Sequence, residues 1–407
     1  MISVEKAVQI VLDTINVLKP EKVQILYARG RVLAEDVISN EDLPLFDYAS
    51  MTGYALRAID ICKASSRNPV PIHLDGDITI GQKWETPLKP RHTVRINMGA
   101  PLPAEADSVL PEEHAVRDSS KKVLIYKPAR VGYNIRMKGE DIPKGTLVIP
   151  RGKKISATDI GILSVMGLAE VDCFRVPRVS FLTAGNGIVD VKAPLQDGMI
   201  RSSNRYTLHS QLAEYGAEPF DLGLVKKDKK EITEKINDGV KYDLFINSVG
   251  PSFEDFSFIK RMLEQIGMDI KFWKVAIKPT TPIIFGTCNN TPIFSLSGNP
   301  FSFFLSLEQF IRPALMKMMG SQIIKRAEVN ATLTKDLKSD SRSTSYMRGT
   351  VVLTDEGFSV TPDFKKSSSI RAFASANGLI VMPDSINYLK AGSKVKVQIL
   401  AEPKNGN

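Results

Sequence analysis

Long apolar runs, cysteine frameworks and histidine clusters are all missing from this 407-residue sequence. No uninterrupted apolar stretch approaches the roughly 18–20 residues that a membrane span requires, so no membrane association is expected. The first residues, MISVEKAVQI, have no basic segment followed by an apolar one, which argues against a secretory leader. Only three cysteines occur, Cys62, Cys173 and Cys288. They make neither a disulfide framework nor a metal knuckle, and a cytoplasmic location is expected. His73, His92, His114 and His209 are far apart and show no metal-ligand spacing, so each reads as structural or exposed. A Walker A loop, a GxSxG elbow and a dinucleotide fingerprint are also absent.

Charge is present in excess of one sign. There are 54 Lys and Arg against 45 Asp and Glu, a formal charge of +9. The basic residues are dispersed and are not interleaved with aromatics, so a nucleic-acid platform is not expected. A solvated basic surface suits them, and so does an anionic small-molecule substrate. Hydrophobic content of 43% with 24% charged residues is that of a globular protein. The length exceeds that of one ordinary core.

The texture changes along the chain. Residues 3–18 repeat apolar positions at helical spacing and stop before Pro20. Between about 42 and 128, short apolar runs such as VPIHL and HTVRI alternate with Pro and Gly clusters, predicting a β-rich module. SATDIGILSVMGL at 156–168 opens with a Ser cap and predicts a helix. From Arg178 to Gly320 strands alternate with helices, which predicts a parallel sheet with helices on both faces. Residues 327–402 revert to β-branched alternation. The expected division is an N-terminal helical and linker part (1–41 and 132–176), an inserted β-rich module (42–131), an α/β domain (177–322) and a C-terminal all-β domain (323–407).

Three small-residue loops fall at strand ends of the α/β part, where open α/β sheets bind ligands. They are Thr183–Gly187, Ser248–Ser252 and Ser297–Asn299. Glycine lets the backbone approach a ligand, and N–H groups opening a helix favour anions. Thr183, Gly185, Asn186, Ser248, Gly250, Ser252, Ser297, Gly298 and Asn299 are therefore candidate binders of a phosphate-bearing ligand. Between the second and third loops FWKVAIKP (272–279) carries Lys274 and Lys278, which share one face if the segment is extended. Taken alone, two exposed lysines on an edge strand fit that segment equally well.

In order, the segments resemble the molybdopterin molybdenumtransferase family, comprising the bacterial MoeA proteins and the gephyrin E domain. LPLFDYASMTGYA (43–55) is similar to the family's LPxFDNSAMDGYA, and RINMGAPLPAEADSVLPEE (95–113) to its RIxTGAPLPxGADAVVxxE. NIRMKGEDIPKG, LTAGNGI, NSVGPS, FWKVAIKP and LSGNP resemble further family segments. The resemblance spans essentially the whole chain. It implies a multi-domain α/β plus β architecture, with a doubly wound molybdopterin-binding α/β domain, the inserted β-rich module and a C-terminal β-barrel. It implies a homodimer that takes adenylylated molybdopterin from the adenylylating protein of the same pathway, inserts molybdate at the dithiolene with Mg²⁺, and releases AMP. Asp47, Lys274, Lys278 and Arg348 would then be catalytic, and Arg136 would join the ligand-binding loops.

The chain departs from the family mainly at acids. Thr52 replaces the Asp of DGYA, Asn186 and Gly187 replace Asp and Glu, Ser202 and Lys227 replace Asp, and Ser257 replaces another Asp. Met98 stands where the family has Thr. Asp228 and Asp255 are the remaining metal candidates. Mg²⁺ prefers carboxylate and phosphate oxygens, so a cation here is expected to be held through the ligand's own phosphates. Two further readings follow: a catalytically degenerate paralogue acting as a ligand-binding, carrier or regulatory protein, and a transferase or hydrolase of another phosphorylated substrate.

Overall fold

The computed structural model describes residues 1–226, 228–249, 256–279, 282–339, 343–364 and 370–406. The chain divides into two units. One comprises Met1–Glu35, Arg151–Ile160 and Ala169–Asn407, and the other Asp36–Pro150 and Gly161–Leu168.

Helix α1 runs over Val4–Thr14, shorter than its apolar pattern suggests. Ser3 caps it by accepting from Lys6 N–H at 3.1 Å. Val4, Ala7 and Val11 are its buried stripe.

The second unit is built on a six-stranded sheet of β1 (Gly53–Leu56), β2 (Val70–Ile78), β3 (His92–Ile96), β4 (Ser108–Pro111), β5 (Ala115–Ser119) and β6 (Lys122–Ile125), in the order β4-β1-β3-β2-β6-β5. Along β2, Ile72, Leu74 and Ile78 are buried while Pro71, His73, Asp75 and Asp77 face outward. The period-two alternation of a sheet with one solvated face accounts for the broken apolar runs in this stretch. Helix α2 (Ala157–Val165) begins at a capping pair: Ser156 Oγ accepts from Asp159 N–H at 3.2 Å, and Asp159 Oδ2 accepts from Ser156 N–H at 2.8 Å.

The α/β part carries β7 (Arg178–Ala184), α3 (Ser203–Glu214), β8 (Glu218–Val225), α4 (Lys229–Gly239), β9 (Leu244–Val249), α5 (Phe256–Gln265), β10 (Asp269–Phe272), β11 (Ile277–Lys278), β12 (Ile283–Cys288) and β13 (Thr291–Ser297). The sheet order is β8-β7-β9-β13-β12-β10. The first four strands are parallel, whereas β12 and β10 join antiparallel. The parallel sheet expected from the sequence is thus present and is extended by an antiparallel edge. The turn at Asn289–Asn290, both with positive φ, returns β12 directly onto β13 as a hairpin, where a helical crossover would have been needed for a parallel pair.

Both faces of this sheet are apolar, and the alternation is explicit. Phe181, Ile246 and Phe294 join one core with Leu208 and Leu212 of α3. Their chain neighbours Leu182, Phe245 and Ile293 join the other core with Ile232 and Ile236 of α4 and with Ile259 and Leu263 of α5. Strands buried on both sides read as largely apolar runs, as LFI of β9 and PIF of β13 do. The chain then continues through α6 (Pro300–Ser306), a π-turn over Leu307–Ile311, and α7 (Arg312–Met318). Pro313 cannot donate an N–H to the helical ladder, and a π-turn is one local solution.

Beyond Gly320, β14 (Glu328–Leu333), β15 (Thr344–Thr354), β16 (Gly357–Pro362), β17 (Gly378–Met382) and β18 (Lys394–Ile399) pair in the order β15-β16-β14-β18-β17. A further pairing of β17 with β15 closes the ring into a five-stranded barrel. Val351, Val360, Ile380 and Val397 fill its interior. No helix among the described residues is long and apolar enough to cross a membrane.

Candidate functional site

The three small-residue loops all arise at the carboxyl ends of parallel strands, and those strands are neighbours. β7 leads into Gly185–Gly187, β9 ends at Val249, and β13 ends at Ser297. Gly250, Ser252 and Asp255 lie outside the described residues. Gly185 N–H donates to Val225 O at 3.0 Å, and Gly187, at φ +74°, accepts from Ile200 N–H at 2.8 Å. The first loop does not open a helix directly: two short paired segments, Ile188–Val189 and Ile200–Arg201, precede α3. The third loop does. Asn299 caps α6 by accepting from Ser302 N–H at 3.3 Å. Asn204, in the first turn of α3, donates to Gly298 O at 2.9 Å and ties that helix to the third loop.

Near these ends the buried polar groups are incompletely satisfied. Among the described residues, Thr183 Oγ1, both polar atoms of the Asn247 carboxamide and Ser295 Oγ have no hydrogen-bond partner, although the three residues are buried. Asn247 and Ser295 are direct register partners on β9 and β13. Ser248 beside them is also buried. Buried polar groups are normally paired, and orphans concentrate where a ligand or function demands them.

Lys278 belongs to a cavity of about 320 Å³ together with Phe301, Lys338, Arg348 and Asp363. β11 runs parallel to the start of β15, pairing Lys278 with Ser345, and so joins the α/β part to the barrel here. The Arg348 guanidinium lies 4.8 Å from the Phe301 ring centroid and is 3% exposed. Burial draws its pKa down, with Asp363 opposing, but a guanidinium remains charged. Three cations and one carboxylate, Asp363, therefore line one recess two residues past the Asn299 cap, a net positive balance that favours an anion. Lys338 and Phe301 were not singled out from the sequence, because neither sits in a small-residue loop.

Lys274 is not brought to this cavity. The Ile277 N–H bond to Val275 O, 2.9 Å, kinks the segment between the two lysines, and Lys274 Nζ sits 4.1 Å from the Trp273 ring centroid. In the second unit, Asp47 Oδ1 accepts from Lys138 N–H at 2.7 Å, and Arg136 pairs with Glu140. Asp228 caps α4 by accepting from Glu231 N–H at 2.8 Å. Asp190 accepts from Arg205 and Tyr206, both at 2.8 Å, and Asp221 accepts from Arg205 at 2.6 Å. Among the described residues, Asp190, Asp221 and Asp228 are thus each engaged by protein partners.

Three family models cover this arrangement. The MoeA N-terminal region (domain I and II) matches residues 2–167, a probable molybdopterin binding domain 180–317, and the MoeA C-terminal region (domain IV) 330–400. The molybdopterin molybdenumtransferase of Bacillus subtilis is 31% identical over 93% of this chain and 89% of its own. The chain belongs to the MoeA family. The Haemophilus influenzae molybdopterin molybdenumtransferase is 30% identical over 93% of both chains. A MoeA family structure, the molybdopterin biosynthesis MoeA protein of a Pyrococcus species, superposes with a TM-score of 0.86 at 29% identity, over 99% of this chain and all of that one. The multi-domain α/β plus β architecture read from the sequence is the MoeA family's own.

Proposed function

We propose that the chain acts in molybdenum cofactor biosynthesis by binding adenylylated molybdopterin and inserting molybdenum at its dithiolene, with release of AMP. Relatives named molybdopterin molybdenumtransferase along nearly the whole chain support this reading. The observation that carries it is the cavity where Lys278, Lys338 and Arg348 converge. Phosphate groups would be held there and by the backbone of the Gly185–Gly187 and Ser297–Asn299 loops. Thr183 and Ser248 would set the strand ends behind them. Molybdate enters as substrate, and its negative charge suits the same cationic recess.

The reading includes a homodimer of four-part subunits, with Asp47 and Arg136 contributed across the dimer, and a substrate handed over by the adenylylating protein of the pathway. A Mg²⁺ ion would come with the ligand's own phosphates, since it prefers phosphate and carboxylate oxygens.

Purified protein should bind adenylylated molybdopterin at micromolar concentration in a calorimetric titration. Lys278→Ala should weaken that binding about tenfold or more, as expected for a lost charge-assisted hydrogen bond. Absence of binding by the unsubstituted protein would overturn the reading. Binding without any later AMP release would favour a carrier or regulatory role instead.

A further inference from the structure

We propose that His73, Asp75 and His92, on the solvated face of the sheet in the second unit, form a binding site for a divalent transition-metal ion of the zinc class. Their spacing in the sequence gives no hint of it. The parallel pairing of β2 with β3 makes the cluster, because His73 and His92 are direct register partners. A register irregularity between Leu74 and Gly76 falls at Asp75, and such bulges re-aim a side chain.

The result is close. His92 Nδ1 lies 2.8 and 3.0 Å from the two Asp75 carboxylate oxygens, and His73 Nε2 lies 3.6 Å from Oδ1. The two imidazole centroids are 4.8 Å apart. One ligand atom from each residue falls within 4.8 Å of the others, and among the described residues no other group of three histidine, cysteine or acidic side chains does so.

Donors on a tetrahedral zinc, at about 2.0–2.1 Å from the ion, stand about 3.4 Å apart. The observed separations need only small side-chain rotations to reach that. The backbone beneath is fixed: His73 N–H donates to Arg91 O at 2.9 Å, and His92 N–H donates to Lys89 O at 3.1 Å. Two imidazoles and one carboxylate match zinc, cobalt and nickel better than magnesium, which prefers oxygen. The neighbouring charges are occupied elsewhere: Lys122 pairs with Asp118 at 3.0 Å and Arg95 with Glu112 at 2.5 Å. Three protein ligands leave a fourth position for water or for an outside ligand, the pattern of open sites. Ligation displaces protons from the imidazoles, so metal binding should weaken in acid.

The test is titration of the full-length, chelator-treated protein with Co²⁺ and Zn²⁺, followed by the visible absorption of Co²⁺ and by calorimetry. One equivalent should bind, millimolar Mg²⁺ should not displace it, and His73→Ala and His92→Ala should each weaken it about tenfold or more. His209→Ala, in the other unit, should leave the stoichiometry unchanged. Thermal melts of each variant check that the fold persists. The proposal is overturned if the unsubstituted protein binds no equivalent at micromolar protein, or if the His73→Ala/His92→Ala double variant, still folded, binds as before.

Discussion

Thr183 shows how a single side chain separates stability from function. Its hydroxyl is buried at the carboxyl end of β7 without a hydrogen-bond partner among the described residues, which costs the free protein stability. Thr183→Val removes the orphan at nearly constant volume. Unfolding should become harder by about 1 kcal/mol, measured by urea denaturation, while binding of adenylylated molybdopterin weakens. A variant that loses stability instead would mean the hydroxyl is satisfied by bound water and serves packing alone. Asp243 is the contrasting case, at the opposite end of the same strands. Arg175 grips it through two hydrogen bonds of 2.8 and 2.7 Å, and Arg178 N–H adds a third at 2.8 Å. Burial pushes the Asp243 carboxyl up, but the Arg175 and Arg178 bonds outweigh it and hold the group below the usual carboxylate range. A depressed folded-state pKa gives stability that is present above the unfolded value of about 3.9 and lost as pH falls through the folded one. Asp243→Asn should therefore cost about 1 kcal/mol at pH 7, discounted for the partly exposed arginine. The difference from the unsubstituted protein should shrink toward pH 3, as denaturant titrations at the two pH values would show; a pH-independent difference would contradict the account. Lys338 and the His73 cluster escaped the sequence because their significance lies in what the fold places beside them.

At the scale of elements, strands and helices were largely legible because both faces of the central sheet are apolar and its loops are rich in glycine. The exceptions have local causes. The β12–β13 hairpin was hidden because two asparagines turn the chain without glycine or proline. The helix from Pro300 to Met318 reads as one apolar stretch, and nothing in its periodicity announces the π-turn at Leu307–Ile311. That turn carries Glu308, which is 3% exposed. Glu308 accepts from Arg326 at 2.8 and 2.9 Å and from Tyr215 at 2.8 Å. The network joins the end of α3 to the segment entering the barrel. Glu308→Ala leaves the part-buried Arg326 guanidinium with only its longer 3.9 Å ion pair to Glu214 and should cost about 3 kcal/mol. A calorimetric melt should show the loss, and a change within 0.5 kcal/mol (roughly the scale of an ordinary surface substitution) would contradict the role given to this network.

At the scale of the whole molecule, the chain keeps the MoeA family's architecture. The fold was readable from the order of motifs along the sequence. The chemistry is less so, because side chains such as Lys278, Lys338 and Arg348 meet only where the fold brings separate segments to one cavity. The described residues form a cationic recess beside the ends of neighbouring parallel strands, and the proposed function uses it for phosphate and molybdate. The most direct test of molybdenum insertion is AMP release. With adenylylated molybdopterin bound, adding molybdate and Mg²⁺ should release AMP in amounts equal to the bound ligand, measured by chromatography, and Lys278→Ala should slow it. Ligand that stays adenylylated on a fully bound, folded protein would contradict the account.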